Sequence, residues 1–371
     1  MTNPTLLCVR PSPHYRHRLH IARIALALGL AALAACQTPP PPKPVVQAPK
    51  QATPPSAVPD NSAELARQHA AFQDLVAMQD RLYRVASPML RNNAPLCVNH
   101  RAYLLGFTAK NKYSYSAEFV ESAQHVLGLG DQLQIMGVMA DSGAAGVGIK
   151  NGDKLVAIGD VPLPQGQSAE TQAHAVLVSL LPEKTAIDMT VNRGGKDIAL
   201  KVPLTQVCAF SMELGNTDSV NAMADGHRVM LTRGMMRALK NDDELAYVIA
   251  VEMARNVLGH PTKLHTNAAL AEDIDNLVHV HPSEDKLVPL RAPGEEFDLA
   301  ADKRGLYMLA RANYSIDNFG RFWQTLAPQA VQGDAVSYFA LHPMTPRRQA
   351  AIGRVTTEIK GKQAAHKPIQ P

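Results

Sequence analysis

The sequence predicts an α+β protein: a mainly helical body with a small edge sheet, interrupted by a β-rich insert. Three observations carry this. Leu65, Phe72, Leu75, Val76, Leu82, Val85 and Met89 recur at helical spacing, so one amphipathic helix runs to about residue 90. The stretch DDELAYVIAVEMARNVLG is apolar on most faces, which places a second helix inside a core. Between them, Ile187–Val191 and Ile198–Val202 flank the turn Arg193-Gly194-Gly195-Lys196, the pattern of a β-hairpin. A chain of 371 residues is long enough for two domains with real cores.

The N-terminus comes first in the chain and sets the expected compartment. A basic stretch, RPSPHYRHRLHIAR, precedes the apolar run IALALGLAALAA, which is too short to span a bilayer and has signal-peptide anatomy. The run closes on Leu33-Ala34-Ala35-Cys36, which resembles a bacterial lipobox with Cys36 as the lipidated residue. Two or three acyl chains hold a protein durably on a membrane. Gln37 follows the cysteine, and by analogy the absence of Asp there implies an outer-membrane lipoprotein facing the periplasm. The formal charge of +4 is matched by Arg10, Arg16, Arg18 and Arg23 of the expected signal, so the mature body is near neutral and offers no electrostatic case for nucleic acid. Residues 38–60 are proline-dense and read as a semi-rigid tether.

The expected organisation is a signal peptide at 1–35, the tether at 36–60, the first part of the body at 61–114, the insert at 115–204, the second part of the body at 205–360 and a disordered tail at 361–371. Cys8 leaves with the signal and Cys36 takes lipid. In an oxidising compartment Cys97 and Cys208 are then the pair available for a disulfide at the two junctions of the insert, with two buried free thiols as the alternative.

Within the insert, SGAAGVGIKNGDKLVAIGD carries a small-residue turn, a short helix, a Gly-Asp pair and a following strand, and resembles a PDZ domain. The resemblance implies capture of an extended peptide by strand addition, with loop amides on its terminal carboxylate. The matching loop would be near Leu127, Gly128 and Leu129. A module serving only as spacer or lid is the alternative.

In the body, Asn221-Ala222-Met223-Ala224, a turn at Asp225-Gly226 and a strand at 228–232 precede the buried helix, which opens on Asp242-Asp243-Glu244 and stops at Gly259. Downstream stand EEFDLAADKRGLYMLARANYS and FALHPMTPRRQAAI. Together these resemble metallopeptidase family forty-eight, the HtpX/BepA-like gluzincins, and more narrowly its bacterial lipoprotein branch with an inserted PDZ domain. The resemblance implies a gluzincin-like fold, zinc held by two helix histidines and a downstream glutamate, and a general-base glutamate between the histidines.

The positions that match the zinc ligands hold Val251, Arg255 and Asp298, while the general-base position keeps Glu252. Asp302 matches a supporting aspartate, and His342 stands where some members keep a histidine that can approach the metal. Asn221, Ala222, Met223 and Ala224 match the strand that lines the substrate cleft. Val251 offers zinc nothing, and a guanidinium about 4 Å from Zn²⁺ is repelled by about 8 kcal/mol at an effective dielectric near 20. That repulsion is comparable to most of the ~10–16 kcal/mol that structural zinc sites supply. Arg255 is therefore expected to pair with Glu252, three residues before it, or with Asp298. His260, His265, His279 and His281 follow the helix in a polar connection and read as loop histidines. The sequence thus leads to no metal cofactor, and to a pseudoprotease that binds envelope polypeptides or protein C-termini and is held to the membrane by its lipid. The alternative is a working zinc metalloendopeptidase with replacement ligands.

Overall fold

The computed structural model describes residues 62–181, 184–263, 294–326, 338 and 342–371. The expected signal peptide, Cys36, the tether, and His265, His279 and His281 lie outside the described residues. The elements run in the order α1 (Ser62–Asn92), β1 (Arg101–Leu104), β2 (Phe107–Lys110), α2 (Val120–Leu127), β3 (Gln134–Val138), α3 (Gly143–Gly146), β4 (Lys154–Ile158), β5 (Val161–Pro162), α4 (Ala169–Leu180), β6 (Ala186–Arg193), β7 (Lys196–Pro203), β8 (Thr205–Cys208), β9 (Ser211–Gly215), β10 (Ala222–Ala224), β11 (Arg228–Thr232), α5 (Arg233–Ala238), α6 (Asp242–Val257), α7 (His260–Lys263), α8 (Glu295–Arg311), α9 (Phe319–Leu326) and α10 (Pro346–Ala364). The fold is α+β, and no described helix is long and apolar enough to cross a membrane.

The helices begin where side chains can satisfy unpaired amides. Asn241 accepts from the Glu244 amide at the start of α6, and Asp242, Asp243 and Glu244 fill its first turn. Gly259, at φ +67°, follows its end. Thr345 caps α10 by accepting from the Arg348 amide, with Pro346 at its first position. α6 is buried around its whole circumference from Leu245 to Asn256. α8 lies against it, and Gly305 is what lets the two approach: a Cβ there would come within 3.3 Å of the Ala250 and Val251 backbone.

One core cluster joins α1, α6, α8, α9 and the three-stranded sheet ordered β10-β11-β9, in which β10 is an edge strand. A second fills the insert, beneath the sheet ordered β2-β3-β4-β6-β7, from Leu105, Phe107, Ile135, Leu155, Leu177, Ile187 and Val191. The expected hairpin is β6–β7, paired from Ala186↔Pro203 to Arg193↔Lys196. A third, smaller cluster seats Phe72 and Val76 of α1 against Ala123 and Leu129.

At the neck of the insert, β1 and β8 pair antiparallel, and Cys97 and Cys208 are joined by a disulfide with Cα atoms 5.5 Å apart.

Two expectations need correction. The insert's sheet does not begin after residue 115: β2, at 107–110, is its first strand, because it pairs with β3 while β1 turns to β8. The tail at 361–371 is not disordered. α10 runs on to Ala364, Arg311 donates to the Ile369 carbonyl at 3.1 Å, and Ile369 packs on the body's core.

Candidate functional site: a guanidinium between two buried carboxylates

α6 and α8 bring the motif residues together. The Arg255 side chain is 6 % exposed, and those of Glu252 and Asp298 are 2 %. Arg255 Nε donates to Glu252 Oε1 at 3.1 Å, across the three-residue spacing of one helical turn, and Nη2 donates to Asp298 Oδ1 at 2.9 Å. One guanidinium thus ties the C-terminal half of α6 to the first turn of α8. Such bonds are charge-assisted and, in a site this dry, poorly screened.

Further residues complete the network. Tyr338 donates its hydroxyl to Glu252 Oε1 at 2.8 Å, and its ring stacks on Trp323 at 5.5 Å. His342 Nδ1 lies 2.9 Å from Asp298 Oδ1, the oxygen that Arg255 also contacts. Arg348, on α10, grips Asp302 bidentately at 2.6 and 2.9 Å, donates to the carbonyl of His342, and stands 3.7 Å from Asp298 Oδ2. Val251 is fully buried in the apolar core.

Protonation follows from this arrangement. Burial lowers the pKa of Arg255, but the charges of Glu252 and Asp298 outweigh it and raise it, so the guanidinium stays charged. Burial pushes the Asp298 carboxyl up, yet the His342 bond and the Arg255 and Arg348 charges together hold it below the usual carboxylate range. Burial, then Arg255, pushes the His342 imidazolium down. A neutral His342 beside an ionised Asp298 carries its proton on Nδ1 and donates it. Burial raises the Tyr338 hydroxyl well above its ordinary value, with Glu252 adding to the shift, so it remains a donor. Asp302 is pushed up by burial against the pull of Arg348.

The chemistry available here is cohesive. Glu252 Oε1 accepts from both Arg255 and Tyr338, so the carboxylate is held in place by two donors. Among the described residues, no group of three or more His, Cys, Asp or Glu is arranged to hold a metal ion.

The expected cleft strand is β10, at the edge of its sheet. Asn221 stands just before it, with its amide on Thr232 Oγ1 and its carbonyl accepting from the Thr232 amide. Asn256, at the end of α6, accepts from the Gly226 amide at 2.6 Å and donates to the Arg228 carbonyl at 2.9 Å, so α6 itself holds the β10–β11 turn.

The loop expected to meet a carboxylate, Leu127-Gly128-Leu129, does not offer its amides. Gly128 N–H donates to Gln124 O and Leu129 N–H to Ala123 O, closing the end of α2, and Leu129 is buried against α1. The amides that stand unused precede β2. Among the described residues, the N–H groups of Leu105 and Gly106 donate to no acceptor, while their carbonyls accept from Ala144 and from Met139. Gly106 is required there: its φ is +92°, and a Cβ would sit 2.2 Å from that of Ser142. The signal in the sequence was the apolar-Gly-apolar run Leu105-Gly106-Phe107 leading into a strand. Tyr338 had no such signal.

No curated protein matches the chain. A solved structure, described as the HtrA3 PDZ domain bound to a phage-derived ligand (FGRWV), is similar at 18% sequence identity, covering 29% of this chain and 89% of that one with a TM-score of 0.21. Residues 187–280, which include Val251, Glu252 and Arg255, match the family model for Peptidase family M48. Over that segment the chain is similar to the peptidases of family M48, and a metallopeptidase homology is what the match suggests.

Proposed function

We propose that this chain is a catalytically idle relative of the zinc metalloendopeptidases, a pseudoprotease that binds extended or unfolded envelope polypeptides without cutting them. The observation that carries the reading is the guanidinium of Arg255 between Glu252 and Asp298. The residues present do not fit a zinc ion. Val251 has no donor, Glu252 and Asp298 converge on a fixed cation that repels a second one, and His342 is engaged with Asp298. Without a metal, Glu252 has no polarised water to activate.

Binding rests on backbone pairing at exposed edges. β10 is one edge. β2 is the other, preceded by the free amides of Leu105 and Gly106, which suit the carboxylate of a chain terminus in a PDZ-like module. Lipidation at Cys36 would place both edges on the periplasmic face of the outer membrane.

Elemental analysis of metal-stripped, zinc-reloaded protein, with a casein proteolysis assay, tests this. The wild type is expected to hold no stoichiometric zinc and to cut nothing. The combined substitution Val251→His, Arg255→His and Asp298→Glu removes the fixed cation and restores three donors, and is expected to take up about one zinc per chain, by analogy with three-ligand catalytic sites. Stoichiometric zinc with proteolysis in the wild type would establish a working peptidase instead.

A further inference from the structure

The groove beside β2 is closed at one end. Lys110, the last residue of β2, is 6 % exposed, and its ammonium donates to Gln79 Oε1 of α1 at 2.9 Å. The same ammonium lies 4.5 Å from the centre of the Tyr115 ring, and Tyr115 packs edge-on against Phe72 of α1 at 4.8 Å. Burial pulls the Lys110 ammonium down, and the charges of Glu170, in the first turn of α4, and Asp80 of α1 oppose it. Asn111 ties the same loop to the carbonyls of Asp131 and Gly166 at 3.0 and 2.8 Å. α1 and the 111–115 loop therefore meet over the end of the strand. α1 is not free to swing aside, because Arg81, two residues after Gln79, bonds Asp242 at the start of α6 at 3.1 Å and the Leu239 carbonyl at 3.1 Å.

The other end is open. Thr108 and Ala109 are only partly covered, and Leu105 and Gly106 present unused amides. α4 shares the core of Leu105 and Phe107 through Ala169, Ala173 and Leu177. A chain terminus that sets its carboxylate on those amides and pairs antiparallel with β2 passes Phe107, Thr108 and Ala109 in turn, at about 3.3 Å per residue. The next residue arrives at Lys110, where α1 stands.

We propose that Gln79, Lys110 and Tyr115 form a latch that restricts this groove to about the last three residues of a polypeptide, one residue for each open position of β2, and that longer tails engage it only when the Gln79–Lys110 bond is broken. This rests on the reading that the groove takes chain ends. It names the ligand class as short, free C-terminal tails.

Calorimetric titration of the full chain with synthetic peptides of three, six and ten residues tests it. All share one apolar C-terminal tripeptide with a free carboxylate, and a tripeptide amide serves as control. In the wild type, extension beyond three residues is expected to add nothing to affinity. In Gln79→Ala, and more strongly in Gln79→Lys, which sets a like charge beside Lys110, the six-residue peptide is expected to gain about tenfold over the tripeptide, the worth of one or two extra ladder bonds. Near-ultraviolet circular dichroism confirms that each variant is folded. A tenfold gain on extension already present in the wild type overturns the latch, as does no gain in either variant. If acid and amide tripeptides bind equally, or neither binds, the chain-end reading of the groove fails and the latch falls with it.

Discussion

Arg255→Met leaves Glu252 and Asp298 without the guanidinium that lies 3.1 and 2.9 Å from them. Both carboxylates are 2 % exposed, so water cannot replace it. Removing one partner of a buried ion pair costs about 3–5 kcal/mol, most of it the penalty of an uncompensated charge. Methionine keeps much of the aliphatic volume, which holds the packing loss down. Partners also remain. Glu252 keeps the Tyr338 hydroxyl at 2.8 Å, and Asp298 keeps His342 at 2.9 Å and Arg348 at 3.7 Å. The expected loss is therefore at the lower end, about 3 kcal/mol at neutral pH. Urea unfolding followed by tryptophan fluorescence reads it directly. Trp323 is the single tryptophan, is 1 % exposed, and stacks on the Tyr338 ring that bonds Glu252. The deficit should shrink as pH falls toward 5, because an orphaned buried carboxylate takes up a proton more readily than a paired one. Adding Glu252→Gln to Arg255→Met removes one orphan charge and should recover about 1 kcal/mol or more, a non-additive cycle of the kind coupled residues show. An Arg255→Met protein within about 1 kcal/mol of wild type, with a flat pH profile and strictly additive Glu252→Gln, would refute the reasoning.

The remaining predictions concern other parts of the molecule. Replacing both Cys97 and Cys208 by alanine opens a loop of sequence separation 111 and should lower stability by about 4–5 kcal/mol on the chain-entropy account, seen as a lower urea midpoint that reductant no longer shifts. Gly106→Ala forces a side chain onto Ser142 at positive φ; peptide binding at β2 should be lost while the Trp323 signal of the body persists. Burial pulls Lys110 from 10.5 down to about 8, against Glu170 and Asp80. Between those values the unfolded chain binds the extra proton, so wild-type stability should rise with pH relative to Lys110→Met, by up to about 3 kcal/mol between pH 8 and 10.5, as paired urea titrations would measure.

Much of the site was legible from local spacing. Glu252 and Arg255 stand three apart on a helix that is apolar from Leu245 to Val251 apart from the Tyr247 hydroxyl, so their side chains meet on one face and have little else on that helix to pair with. The β6–β7 hairpin followed from alternation and a two-glycine turn, and the cysteine pair from compartment and count. These signals act within a few residues or by elimination, and the chain alone determines them. The tertiary structure decided the rest. Tyr338 and Arg348 reach Glu252 and Asp302 from 86 and 46 residues away, distances over which no periodicity survives. The amides of Gly128 and Leu129 were expected to be available, but the end of α2 claims them. The final residues were expected to form a disordered tail, yet the Ile369 carbonyl meets Arg311 once α10 lies along α8. In each case the sequence states which groups a residue carries, and only packing determines which partner arrives first, because hydrogen bonds and charges are satisfied by whatever the fold brings within about 3 Å.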